Sequence, residues 1–194
     1  DAVETNTFGC NWANLAEYGI EDRIYELAHA GARIARMSAD EFSAENKTGP
    51  KYVLGSLGPG TKFPSLLHTT YEHLKQAYRE ASRGLIDGGA DALLIETTQD
   101  LLQAKAAING AREAIDSTDR DILLIAQVTI ETTGTMLMGS EIGAALSALE
   151  PLNIDVIGLN CATGPTEMSE HLRTLSHRTE LPISCMPNAG LPVL

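Results

Sequence analysis

A cysteine at the end of an apolar run is the residue in this chain best placed to do chemistry. In Ile154-Asp155-Val156-Ile157-Gly158-Leu159-Asn160-Cys161-Ala162-Thr163-Gly164-Pro165, a buried strand emerges into a strand-to-helix turn. A thiol held there by a rigid strand can serve as nucleophile or as metal ligand once something lowers its pKa from the free value of about 8.5. Other polar side chains end other apolar runs. Glu96 closes Ala92-Leu93-Leu94-Ile95, Glu4 and Thr5 sit in the first run, and Asn188 follows Ile183-Ser184-Cys185-Met186-Pro187. Ser56, Thr97, Gln127 and Thr129 complete a set of polar residues at strand ends. A carboxylate in such a place can bind a cationic group or be satisfied by backbone N–H groups or an arginine. An Asn in Pro-Asn-Ala-Gly can donate an amide oxygen to a ligand or simply make a turn.

These side chains need elements to carry them, and the pattern alternates. Val3 to Phe8 is a short β-rich run. Ile20, Ile24, Leu27, Ile34 and Ser38 then fall at helical spacing up to about Phe42. Lys51 to Leu57 is a second strand, ended by Gly58-Pro59-Gly60. Thr69 or Thr70 then caps a helix with Leu74, Ala77, Tyr78, Ala81 and Leu85 inward, ended by Gly88-Gly89. Strand 92–97, a helix capped by Asp100, strand 122–129, a helix from Ser140, the Cys161 strand, a helix begun by Pro165 and a last run 181–188 follow. Near-continuously apolar strands separated by helices require a parallel sheet covered by helices. Periodicity leaves a barrel and an open sheet both available. Neither a G-x-G-x-x-G turn nor a P-loop appears, whereas polar residues at nearly every strand end would converge on one mouth if the strands close into a ring.

Composition narrows the partners. The chain has 194 residues and a formal net charge of −12, which argues against nucleic acid and anionic membrane, because phosphate binding needs a basic footprint. No apolar run approaches the roughly 20 residues of a membrane span, and three widely spaced cysteines suit a reducing compartment, so a cytoplasmic location is expected. Cys10 and Cys185 are expected to be inert, and His29, His73, His171 and His177 to lie on outward helix faces, with only His68 near the mouth. The 131–140 segment is either a flexible loop or part of a cleft wall.

Several blocks in this order resemble the homocysteine S-methyltransferase family. They are Val3-Glu4-Thr5-Asn6-Thr7-Phe8, Leu54-Gly55-Ser56-Leu57-Gly58-Pro59, Gly88-Gly89-Ala90-Asp91 running into Ile95-Glu96-Thr97, Gly158-Leu159-Asn160-Cys161-Ala162, and Pro187-Asn188-Ala189-Gly190-Leu191-Pro192. The resemblance spans the chain, with its nearest likeness in the cobalamin-dependent branch. It implies an incomplete (β/α)8 TIM barrel of about six βα units over 1–194, lacking the first strand and the C-terminal strands. It implies zinc-dependent methyl transfer to the thiol of homocysteine, giving methionine, with methylcobalamin on a separate module as donor and folate- and cobalamin-binding modules as partners.

By the same resemblance Cys161 is one of three zinc thiolates, the other two being adjacent cysteines in a Gly-Gly-Cys-Cys turn that these 194 residues do not contain. Asn188 fills the open zinc position, Glu96 pairs with the substrate ammonium, and Glu4 and Thr5 contact homocysteine. Strand alternation sets Asn160 on the side opposite the thiol, as supporting structure. Three alternatives accompany this reading: another methyl donor of the S-methylmethionine or betaine type, a non-catalytic fragment, and a Cys161 nucleophile working without metal.

Overall fold

In the computed structural model, residues 2–47 and 49–189 are described. Strands β1 (Ala2–Glu4), β2 (Tyr52–Leu57), β3 (Ala92–Thr98), β4 (Leu123–Val128), β5 (Val156–Asn160) and β6 (Ile183–Met186) form one sheet in sequential order. All five pairings are parallel. Helices α1 (Trp12–Ala16) and α2 (Ile24–Asn46) join β1 to β2. Then α3 (Tyr71–Asp87), α4 (Leu101–Ile115), α5 (Ile142–Leu149) and α6 (Pro165–Arg178) make the later crossovers. An open doubly wound sheet reverses its strand order at a switch point, and this one does not. Each strand lies beside its predecessor, so the sheet curls as part of a (β/α)8 barrel, as expected.

The two faces of the sheet separate by alternation. Val53, Leu57, Leu93, Ile95, Leu124, Ala126, Val128, Ile157 and Leu159 face the helices and join their apolar stripes in one core. Each such side chain contributes roughly 1.5–3 kcal/mol of transfer free energy when buried. The other face, the inside of the curl, carries Glu4, Leu54, Ser56, Leu94, Glu96, Gln127, Gly158, Asn160 and Ser184. Helix starts follow their caps: the Thr70 hydroxyl accepts from His73 N–H and the Asp100 carboxylate from Leu102 N–H, while Pro165 opens α6.

Helix α2 departs from expectation in its phase. Ile34 is 68% exposed, and the buried stripe is Ile24, Ala28, Ala32, Ala35 and Ala39. Close packing against α3 explains the preference for small residues. A methyl group on Gly84 would lie 3.0 Å from the Ala28 Cβ, and one on Gly88 would lie 2.7 Å from that of Ala32. Cys185, expected in a strand interior, is exposed on β6, with its sulfur 3.9 Å from that of Met168 on α6. The edge position of β6 leaves that residue uncovered. Cys10 is half-buried and donates its S–H to Ile24 O, and burial pushes its thiol up to about 11. No helix among the described residues is long and apolar enough to cross a membrane.

Candidate functional site at the strand ends

The C-terminal ends of β1, β2, β3 and β5 gather Glu4, Ser56, Glu96, Thr97, Asn160 and Cys161. Glu96 leaves the apolar part of β3 on the inner face and is 8% exposed. Ser56, on the neighbouring strand, donates its hydroxyl to Glu96 Oε1 at 2.5 Å, and Asn160 Nδ2 lies 3.4 Å from Oε2. Both carboxylate oxygens are thus held from opposite sides, which fixes the plane of the group.

Glu4 reaches the same carboxylate from the sheet edge. Partial desolvation, then a hydrogen bond to Glu96 and repulsion from it, push Glu4 up to about 7, against an opposing pull from Ser56. The contact with Glu96 is the firmer of these causes, because Glu4 as a residue is exposed on β1. Glu4 therefore keeps its proton to a higher pH than a free carboxyl does. Thr5 is buried, and its hydroxyl accepts from Ser56 N–H at 2.9 Å and meets the Thr7 hydroxyl at 2.6 Å. That network ties β1 to β2 and so sets where Ser56 and Glu4 stand.

Cys161 lies in left-handed backbone (φ 57°), as does Ala162 (φ 55°). The sequence expectation that Asn160 points away from the thiol is overturned here. A positive φ at Cys161 breaks the pleat, so both side chains turn the same way and Asn160 Nδ2 comes within 3.4 Å of Cys161 Sγ. Thr97 has φ 58° immediately after Glu96, where β3 shifts register against β4, and its hydroxyl lies 3.9 Å from the same sulfur. Two β-strands thus end in the same device, an inward polar residue followed by a left-handed one. The dipeptides Glu96-Thr97 and Asn160-Cys161 were visible in the sequence, but the signal for their convergence, the sign of φ, was not.

Asn188 is half-buried and stands beside the cysteine turn. Its N–H donates to Thr163 O at 3.2 Å, and Cys161 N–H donates to Met186 O at 3.1 Å, so the end of β6 runs along the loop that carries the thiol. Gly190 to Pro192 of the same block lie outside the described residues. Gln127 donates to the Ser184 hydroxyl at 2.7 Å across Gly158 and lies on the inner face with Glu96. His68 accepts from Phe63 N–H within its own exposed loop and is not among the residues gathered at Cys161. The 131–140 segment is a folded turn: Met136 is buried, with backbone bonds from Met136 to Ser140 and from Met138 to Gln99.

The donor set around Cys161 falls short of a metal site. Among the described residues no group of three or more His, Cys, Asp or Glu side chains is placed to hold one. Cys161 offers a single thiol, with amide and hydroxyl groups around it. Taken alone, these residues do not fit a zinc ion.

The family profile for homocysteine S-methyltransferase matches residues 1–194. The chain is 62% identical over its whole length to methionine synthase of Mycobacterium tuberculosis and 60% identical to that of Mycobacterium leprae, and it spans 16% of the length of each. The metallated form of the homocysteine methyltransferase MmuM from Escherichia coli superposes with TM-score 0.82 at 22% identity, over 97% of this chain and 67% of that one. Its oxidised form gives 0.80. These structural likenesses are of fold. With the whole chain matched by the family profile, this protein belongs to the homocysteine S-methyltransferase family.

Proposed function

We propose that the chain forms the greater part of a barrel that binds homocysteine for methylation of its thiol to methionine. The observation that carries the reading is the convergence of Glu96 and Cys161 on one amide, that of Asn160. A fixed carboxylate suits the substrate ammonium, and a cysteine on a strained turn nearby marks the end that receives the sulfur. Glu4 joins Glu96 as a second carboxylate at the ammonium end. Thr5 acts through Ser56, since its hydroxyl is already engaged.

The finer parts of the proposal come from the family. Cys161 is one thiolate of a zinc site and Asn188 a further donor, the remaining thiolates of the family's site not being among these 194 residues. Methylcobalamin on a separate module is the methyl donor, folate- and cobalamin-binding modules are partners in the longer chain, and the location is cytoplasmic.

The test uses the full-length protein. Homocysteine is offered with methylcobalamin, S-methylmethionine or betaine, and methionine is measured. Methionine from methylcobalamin alone is expected. Methionine only with another donor would redirect the donor assignment, and absence of both homocysteine binding and methionine with every donor would overturn the reading.

A further inference from the structure

The side chain of Asn160 is 2% exposed and is held at both ends of its amide. Oδ1 accepts from Thr97 N–H at 2.8 Å, which fixes the amide orientation and turns Nδ2 toward the site. Nδ2 then faces three acceptors: Thr97 Oγ1 at 2.7 Å, Glu96 Oε2 at 3.4 Å and Cys161 Sγ at 3.4 Å. Its main-chain oxygen accepts from the Thr129 hydroxyl at 3.0 Å, tying β5 to the end of β4 as well. Rotating this side chain would orphan the part-buried N–H of Thr97 and release both long contacts together.

Thr97 and Cys161 are the two strained residues this amide clamps. Left-handed backbone is unfavourable for a β-branched residue and persists only where the surroundings over-determine it. The shift in register between Ile95 and Thr98 takes Thr97 out of the β3–β4 ladder. The Asn160 amide gives Thr97 N–H its acceptor from two strands away. One side chain therefore replaces a rung of the ladder and spans the site.

We infer that Asn160 is a positioning residue that sets the distance between Glu96 and Cys161 and thereby the length of thiol amino acid the site accepts. The inference rests on the proposed homocysteine reading, in which the ammonium goes to Glu96 and the sulfur to the Cys161 end. Because Glu96 Oε2 and Cys161 Sγ each touch the same nitrogen, they cannot lie further apart than the sum of two 3.4 Å contacts. A site of fixed span discriminates ligands that differ by one methylene, typically by roughly ten- to two-hundredfold.

The experiment is calorimetric titration of the full-length protein, as purified, with L-homocysteine and L-cysteine. Cysteine is the same amino acid one methylene shorter. Wild type is expected to prefer homocysteine within that range. Asn160→Asp keeps an oxygen that can accept from Thr97 N–H but replaces the amide donor facing Glu96, Thr97 and Cys161 with a second carboxylate oxygen. The added carboxylate also repels Glu96, which releases the distance the amide sets, so the readout is the ratio of the two affinities and not either affinity alone. Its preference is expected to narrow by about tenfold, the lower end of what one methylene is worth in a fitted site. A variant that selects as wild type does overturns the inference alone, whereas a wild type that binds neither amino acid overturns the homocysteine reading itself. If Asn160→Asp does not fold, Thr97→Val removes the hydroxyl that anchors Nδ2, and it is read by the same ratio: a narrowed preference supports the inference, and an unchanged one overturns it.

Discussion

The Ser56 hydroxyl donates to Glu96 at 2.5 Å from the strand that lies between Glu96 and Glu4, and the Glu96 carboxylate raises the pKa of Glu4 across it. Two like charges so placed are not both held freely, and Glu4 is raised from 4.5 to about 7. The native state therefore binds more protons than the unfolded chain between those two values. The stability this adds is fully present below pH 4.5 and is lost as pH rises through about 7. Glu4→Gln should flatten this part of the stability curve. Denaturant midpoints of both proteins from pH 4 to pH 8 would read it, and identical slopes would refute the raised pKa of Glu4.

Glu96→Gln keeps the shape of the group, and its remaining carbonyl oxygen can accept from Ser56, but the charge that suits an ammonium is lost. A hydrogen bond to a charged group contributes about 1.5–3 kcal/mol, so homocysteine affinity should fall roughly ten- to a hundredfold. Titration of the full-length variant with homocysteine checks this. An unchanged affinity would move the ammonium elsewhere.

Cys161 and Cys185 make a matched pair for metal content. Cys161 turns toward the strand-end site, and Cys185 faces Met168 on the other side of the sheet. Elemental analysis of the full-length protein should show zinc lost in Cys161→Ser and retained in Cys185→Ser. The opposite pattern would remove Cys161 from the ligand set.

Gly158 is required by the spacing of β5 and β6. A methyl group there would sit 2.3 Å from Ser184 O and 2.8 Å from its Cβ, and the first of these is backbone that cannot swing away. Gly158→Ala should destabilise the full chain by about 1–3 kcal/mol, the usual range for overpacking. It should also disturb the Gln127 to Ser184 hydrogen bond that crosses this residue. Chemical denaturation measures the first effect. A variant as stable as wild type would mean the two strands can part without loss.

Much of the architecture was legible because it depends on period and on local chemistry. Runs such as 92–95 are apolar on both sides because both sides are covered, and the Thr70 and Asp100 caps act on N–H groups two or three residues away. The phase of α2 departs from its sequence pattern, which puts the large aliphatic residues inward. Contact with Gly84 and Gly88 of a neighbouring helix selects alanine instead, and that neighbour is not encoded in the α2 segment.

By itself the sequence determined which residues end the strands and in what order the elements come, since alternation, caps and breakers act over a few residues. Only the tertiary structure decided that Asn160 and Cys161 share a side, that one amide joins Glu96 to that cysteine, and that Glu96 raises the pKa of Glu4. These relations depend on the sign of φ at Cys161 and Thr97 and on the curl that brings β1, β3 and β5 to one rim. Both are set by packing among strands far apart in the chain, where no local pattern reaches.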